Sequence, residues 1–287
     1  MKNWLLMLFI ITAISMSGQE MTGVSLFLKK DGQQIDSVYS QQGDLFRKLG
    51  HHGPAVENQW CGYRIYFDKK AAIDVYSKAR PGLELKEKKW YPSKNEQMEG
   101  WGADYYKAGN TVGLGGIRLW DGEKIVPLHP VSGRWARVEH TSDSSWMEMV
   151  SEGVPYMGKK VDVRVRVTVY NDSRTARVEA DAQGGDPVQF VTGINYFDDL
   201  HLVIADKYVV TWGMHPEDVA AEKIEVGAAL ILPETGIRER KKLEDQYLLV
   251  TEPTHSLSFR ILSANAREPR VNSLETFLET VELQIRK

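Results

Sequence analysis

His51 and His52 are adjacent, a Gly53-Pro54 pair fixes the backbone directly after them, and Glu57, Asn58 and Arg64 follow in the same short stretch. No other part of the chain gathers so many proton-handling and anion-holding side chains in so few positions. Imidazole titrates near neutrality, so a fixed pair suits either proton transfer or metal binding. The chemistry of this protein is therefore expected to start here.

Strand periodicity sorts the remaining candidates by face. From Trp60 to Asp68, Cys61, Tyr63, Ile65 and Phe67 fall on one side and Arg64, Tyr66 and Asp68 on the other, so Arg64 and Tyr66 should share an open face. The same alternation sets Arg118 and Trp120 opposite Ile117 and Leu119, and Trp135 and Arg137 opposite Ala136 and Val138. Arginine beside an aromatic ring on three strands suits a groove for sugars with acidic substituents, because guanidinium groups hold carboxylate or sulfate in bidentate fashion. The plainer reading is three amphipathic pairs on a solvated sheet face.

The elements that must carry these residues are mostly strands. Val161, Val163, Val165, Val167 and Val169 alternate with polar neighbours, the pattern of a strand with one buried face. Asn171-Asp172-Ser173 then turns the chain into Thr175–Ala182, an antiparallel hairpin. Further strands are expected over 24–28, 60–67, 73–76, 114–120, 135–140, 146–150, 188–192, 208–212, 226–232, 247–251 and 256–262, with Asp121-Gly122 as a hairpin turn. One amphipathic helix is expected at the C-terminal end, capped near Asn272-Ser273, where Leu274, Phe277, Leu278, Val281 and Ile285 recur at helical steps. The fold class is all-β: an antiparallel sandwich of two large sheets with a short C-terminal helix. With no internal repeat and no low-complexity linker, residues 20–287 are expected to form one domain. The stretch 80–107, rich in Trp and Tyr, is expected to be an ordered loop covering a site.

Lys2, an apolar run from Trp4 to Ile14 and small or polar residues up to Gln19 have the layout of a secretory signal peptide, too short for a membrane span. The mature chain is thus expected to be secreted or periplasmic, without a lipid-anchoring cysteine, and its single cysteine, Cys61, forbids an internal disulfide. Removing residues 1–19 leaves 35 basic and 39 acidic residues. That balance argues against general attraction to nucleic acid, and an anionic ligand would need a local basic pocket.

The run His51-His52-Gly53-Pro54, Glu57-Asn58, Trp60, Tyr63-Arg64-Ile65-Tyr66-Phe67-Asp68, followed by Trp101-Gly102-Ala103-Asp104, Gly109, Gly113, Gly115-Gly116 and Trp120, resembles the exported bacterial family called domain of unknown function 4861. The resemblance extends over most of the mature chain. It implies a galactose-mutarotase-like β-sandwich, a place in polysaccharide utilisation, and an activity like the dehydration of a terminal uronic acid in ulvan oligosaccharides. Such a β-elimination needs a base for the proton beside the carboxylate, an acid for the departing hydroxyl, and groups that neutralise the carboxylate as the enediolate forms. His51 or His52 is expected as base or acid, with Tyr66 or Tyr105 as counterpart and Glu57 orienting an imidazole. Arg64, Arg118 and Arg137, with Asn58, are the candidates for neutralisation. Asp104, Trp120, His129 and His215 complete the expected contacts to an acidic oligosaccharide.

No cofactor is required by this scheme. The competing use of His51, His52, Glu57, His129 and His215 is a divalent-metal site, although their spacing matches no zinc signature. The Gly113–Gly116 run lacks the helix that a phosphate loop leads into. Two other functions remain open: a sugar epimerase or mutarotase on the same kind of sandwich, and a glycan-binding module without chemistry.

Overall fold

The valine ladder forms the middle of the largest sheet. In the computed structural model, which describes residues 20–88, 91–197, 199–216, 220–232 and 236–286, Lys159–Tyr170 pairs antiparallel with both Ser144–Tyr156 and Ala176–Gln183. Its five valines are all buried. The signal-peptide expectation falls on residues 1–19, outside the described residues. No helix among the described residues is long and apolar enough to cross a membrane.

The nine strands of this sheet run in the spatial order His201–Ile204, Tyr208–Met214, Glu225–Ile231, Ser256–Asn265, Ala176–Gln183, Lys159–Tyr170, Ser144–Tyr156, Gly133–His140 and Ser37–Ser40. Two smaller sheets form the facing layer. One has four strands, Thr22–Ser25, Ala55–Asn58, Cys61–Ile65 and Ile73–Ser77; the other has five, Ile237–Lys242, Gln246–Thr251, Gln189–Asn195, Arg118–Trp120 and Ile125–Val126. Every pairing between these strands is antiparallel. The smaller sheets meet through the glycine-rich run: Leu114 N donates to Ile73 O at 2.9 Å, and Gly115 N to Gly193 O at 2.8 Å. Spending these amides on the seam is why the strand expected over 114–120 begins only at Arg118.

One apolar core joins all three sheets, with Val56, Tyr63, Ile65 and Val75 from the four-stranded sheet, Leu119, Phe190 and Leu249 from the five-stranded sheet, and Val163, Val178 and Phe259 from the large sheet. The protein is thus an antiparallel β-sandwich. Cys61 lies in this core, its thiol pKa pushed up to about 11 by burial, which makes it a packing residue rather than a nucleophile.

The C-terminal helix, Leu274–Ile285, starts at Ser273, whose side chain accepts from Thr276 N. It packs Phe277 and Val281 with Trp212, Ile231 and Leu262 on the outer side of the large sheet. A second helix, Lys94–Met98, was not expected, because five residues carry no apolar period. It stands on a capping box: Ser93 Oγ accepts from Glu96 N, and Glu96 Oε2 accepts from Ser93 N at 2.7 Å.

Candidate functional site

The outer side of the four-stranded sheet carries polar residues, and the segment 80–107 closes over them. Alternation sends Tyr63, Ile65, Ile73 and Val75 into the core, so Arg64 and Asp74, which are direct cross-strand neighbours, project outward together. The expectation of an open face for Arg64 and Tyr66 is corrected here. Arg64 is 1% exposed and Tyr66 is buried at its hydroxyl end, because the segment lays Tyr91 and Asp104 over them.

Gly102 permits that approach. Its amide donates to Glu84 Oε2 at 2.9 Å, and a Cβ there would lie 2.3 Å from the Tyr76 ring and 2.6 Å from Ser77 O. Gly102→Ala is expected to destabilise the protein by about 1–3 kcal/mol through this overlap. A denaturant midpoint unchanged from the parent would contradict the close packing of segment on sheet.

At the centre, Arg64 pairs with both Asp74 and Asp104, the latter at 2.7 Å. Tyr66 Oη donates to Asp74 Oδ2 at 2.6 Å, and Tyr91 hydrogen-bonds to Asp104. Burial would lower the Arg64 pKa, but the two carboxylates outweigh it and hold the guanidinium firmly charged. Burial raises the Asp104 carboxyl above the usual carboxylate range against the opposing pull of Arg64, and raises the Tyr66 phenol well above its usual range. Tyr66 is therefore a donor rather than a phenolate base, and Asp104 takes up a proton more readily than an exposed carboxyl. Among the described residues, Arg64 Nε, Asp74 Oδ1 and Asp104 Oδ1 are buried polar atoms with no hydrogen-bond partner. Such orphaned groups are costly in a structural cluster and expected in a ligand site.

The two histidines divide into different roles. Both occupy the left-handed backbone region, His51 at φ 53° and His52 at φ 62°, which costs energy for residues other than glycine. The surroundings impose it: Phe67 N donates to His52 O at 2.9 Å, and a Cβ on Gly53 would lie only 2.0 Å from Ile65 O. His51 is buried, its Nε2 donates to Leu85 O at 3.0 Å, and burial followed by the field of Arg64 lowers its pKa to about 3. His52 is half-buried and stacks on Phe46 with ring centroids 4.0 Å apart, edge-on to Tyr66 at 5.8 Å. Its Nδ1 lies 3.1 Å from Phe46 O, so in the neutral ring Nδ1 carries the proton and Nε2 the lone pair. Burial lowers its pKa, the Phe46 carbonyl raises it, and Arg64 and Asp74 act on it in opposite senses.

Other expected residues lie elsewhere. Glu57 orients no histidine: its carboxylate accepts from Lys78 Nζ at 2.7 Å and from the amides of Glu84 and Leu85. Asn58 builds a turn, accepting from Trp60 N and Cys61 N and donating to the carbonyls of Ser173 and Arg174. Arg118 is buried and donates to the carbonyls of Ile117 and Thr111, and burial lowers its pKa to about 10. Trp120 packs beside it on the five-stranded sheet under Lys241. Arg137 lies on the outer side of the large sheet, bonded to Glu148 and against Trp135 and Trp146. The core separates it from Arg64, so the expected convergence of three arginines is replaced by a single one. The charges acting on His129 are Arg134, Lys69, Asp44 and Asp68, a different set from those acting on His52. The metal alternative is likewise dispersed, and among the described residues no three His, Cys, Asp or Glu side chains gather as a metal would need.

Asp104 links the cluster to open space. Together with Tyr105 and His215 it borders a cleft of about 160 Å³, and His215 also borders a neighbouring cleft of about 480 Å³. Residues that sequence reasoning missed are Asp74 and Tyr91, and Lys70, whose ammonium lies 5.0 Å from the Tyr66 ring centre. Asp74 was within reach, since the alternation Ile73-Asp74-Val75 puts it on the face of its cross-strand partner.

Buried titrating groups give the site a signature in pH-dependent stability. His51 and His215 have pKa values lowered to about 3, so between about 3 and 6.5 the unfolded chain binds protons they refuse, and stability falls as pH falls. Burial raises the carboxyls of Asp104 and Glu268, the latter to about 7, so as pH falls toward the usual carboxylate range the folded state holds protons the unfolded chain has released, and stability rises as pH falls. The two pairs oppose each other near pH 5–6. Asp104→Asn removes one compensating proton, and its stability should fall from pH 7 to 5 more steeply than the parent's, by up to about 1.4 kcal/mol per pH unit. Equal slopes in urea titrations would show that Asp104 ionises normally.

The model of the family described as domain of unknown function (DUF4861) matches residues 15–287. No curated protein matches the chain. Among solved structures, a chain described as "Putative kojibiose phosphorylase from human microbiome" is similar at a TM-score of 0.49 and 7% sequence identity, over 87% of this chain and 34% of that one. This chain thus spans about a third of that chain's length.

Proposed function

This chain belongs to the DUF4861 family, and on the geometry of its polar cluster we propose that it is an enzyme acting by β-elimination on oligosaccharides that end in a uronic acid. The observation that carries this reading is the His52 ring. It is held in a costly backbone conformation, with Nδ1 tied to a carbonyl so that the lone pair of the neutral ring lies on Nε2, edge-on to Tyr66, whose hydroxyl bonds to Asp74.

In the proposed reaction His52 Nε2 removes the proton on the carbon next to the substrate carboxylate. The electrons of that C–H bond form the new double bond, and the hydroxyl on the next carbon leaves as water with the one hydroxyl proton of Tyr66, which turns from Asp74 to the leaving oxygen; the proton taken by His52 then returns to the phenolate and closes the cycle. Asp74 accepts the Tyr66 hydrogen bond and aligns the phenol. Arg64, paired with the carboxylates of Asp74 and Asp104, and Lys70 supply positive field, so that negative charge moving onto the substrate carboxylate is stabilised. His51 holds the backbone of its neighbour through Leu85 and touches no substrate.

A second reading has one observation in its favour. Arg64 already faces two carboxylates, which suits a neutral sugar whose proton passes between His52 and Asp104, as in an epimerase or mutarotase. One experiment separates the two. Purified protein is incubated with oligosaccharides ending in glucuronic or iduronic acid and, in parallel, with neutral aldoses and neutral oligosaccharides, with absorbance, mass and proton NMR followed together. Elimination gives ultraviolet absorbance from the conjugated double bond with loss of one water in mass. Epimer or anomer exchange without absorbance favours the second reading. If neither occurs while saccharide still binds, both enzymatic readings fail.

A further inference from the structure

We propose that the outer face of the large sheet carries a separate glycan-binding site, across the core from Arg64, which holds a chain of uronic acid residues without reacting with it. The inference goes beyond the elimination reading and does not rest on it.

Strand register sets three rows of side chains on this face. Tyr39 and Trp135 are direct cross-strand neighbours in the first row, Arg137, Glu148 and Arg166 form the second, and Glu139 and Trp146 belong to the third. The Arg137 guanidinium lies 5.6 Å from the ring centre of Trp135 and 4.9 Å from that of Trp146, which Arg166 also approaches at 4.2 Å. Glu148 is buried and anchors the row: it accepts from Arg137 Nε at 3.2 Å, from Arg166 Nε at 2.8 Å and from Arg164 Nη1 at 3.1 Å.

Arg137 reaches this carboxylate through Nε alone. Its Nη1 and Nη2 groups make no hydrogen bond or ion pair among the described residues, and its side chain is 46% exposed. The anchored Nε and the two rings hold the guanidinium in place, so part of the freedom that binding would remove is already lost. The planar fork matches the two oxygens of a carboxylate. Beside it, Gly133 leaves room for Tyr39 to lie along the sheet, since a Cβ there would be 2.4 Å from the tyrosine hydroxyl. Tyr39 is 57% exposed and Trp135 half-buried, and together they offer an apolar floor next to the fork. The C-terminal helix covers only the part of this face around Trp212, Ile231 and Leu262.

Charge narrows the occupant. Arg137, Arg164 and Arg166 face Glu148 and Asp181, and Glu139 and Glu179 flank them opposite Arg177, so the wider surface is balanced. Such a surface holds no polyanion by field alone. The occupant must engage fork and rings together, and a uronic acid supplies a carboxylate and an apolar pyranose face within one residue.

The test is electrophoretic retardation in gels containing polygalacturonate, its fully methyl-esterified form, or polyglutamate, which has carboxylates and no sugar. Polygalacturonate is expected to bind at least about tenfold more tightly than either control. Arg137→Gln and Trp135→Ala should each weaken it at least about fivefold, and His52→Ala should leave it unchanged. Should Trp135→Ala fail to fold, Tyr39→Ala takes its place, and Arg137→Gln alters a side chain that fills no core. Equal retardation by the three polymers, or full retardation in the Arg137 and Trp135 variants, would overturn the inference. So would a dimer in sedimentation that Arg137→Gln dissolves without any polymer being bound, which would give the face to a second copy of the chain. No reaction is followed, so failure of the elimination reading would leave this result unaffected.

Discussion

His52→Ala is expected to cut turnover of uronate-terminated oligosaccharides by roughly 10²–10⁴-fold, the range for loss of a positioned general base, with little change in the melting temperature. The ring is half-buried, stacked on Phe46 at the rim of the cluster, and contributes no core packing that alanine would empty on a large scale. Alanine at a left-handed position still bears the strain that histidine bears, so the backbone cost is common to parent and variant. His51→Ala is expected to behave differently. That ring is buried and bonded to Leu85 O, so its loss should lower stability and reduce turnover by a smaller factor. Retained turnover in His52→Ala, or the opposite ranking of the two variants, would remove His52 from the proposed chemistry.

Arg64→Met is expected to destabilise the folded state by about 3–5 kcal/mol, the usual cost of leaving buried charge without its partner. Asp74 and Asp104 are 1% and 4% exposed, and both rely on the same guanidinium. The companion measurement is the triple variant Arg64→Met, Asp74→Asn, Asp104→Asn, in which no uncompensated charge remains. It should recover a substantial part of the lost stability while staying inactive. Arg64→Lys should fall between them, because an ammonium cannot fork to two carboxylates as a planar guanidinium does. If urea midpoints show the single and triple variants equally unstable, packing rather than charge is what Arg64 contributes.

Much of the scaffold was legible because alternation is a local property. The valines of 161–169, the hairpin into Ala176–Gln183, the turn at Asp121-Gly122 and the C-terminal helix all follow from spacing within a few residues. Ser37–Ser40, Ala55–Asn58 and Ile237–Lys242 were missed because short or highly charged strands carry no apolar period of their own; partners far away in sequence decide them. The site divides along the same line. Arg64 and Tyr66 were correctly given one face, but whether that face is open depends on a segment that begins some fifteen residues later and carries its own anchors. Arg137 shows the converse: its pairing with tryptophan was visible, yet the layer of the sandwich to which its strand belongs was not. Glu57 and Asn58 were judged by composition, and both proved to be spent on backbone groups that no sequence pattern reveals.

Glu57 acts as a keystone. One carboxylate, sealed at 1% exposure, collects Lys78 and the amides of Glu84 and Leu85, and the carbonyl of Leu85 in turn receives the His51 ring. The covering segment and the histidine loop therefore share this fastening, alongside the bonds that Tyr76 and Arg64 make to the segment. An activity screen of alanine variants would rank this acid among the reacting groups, yet its loss would act by slackening the posture of the histidine loop. Crystals or exchange measurements on such a variant, rather than rates alone, would tell a broken tool from a loosened vice.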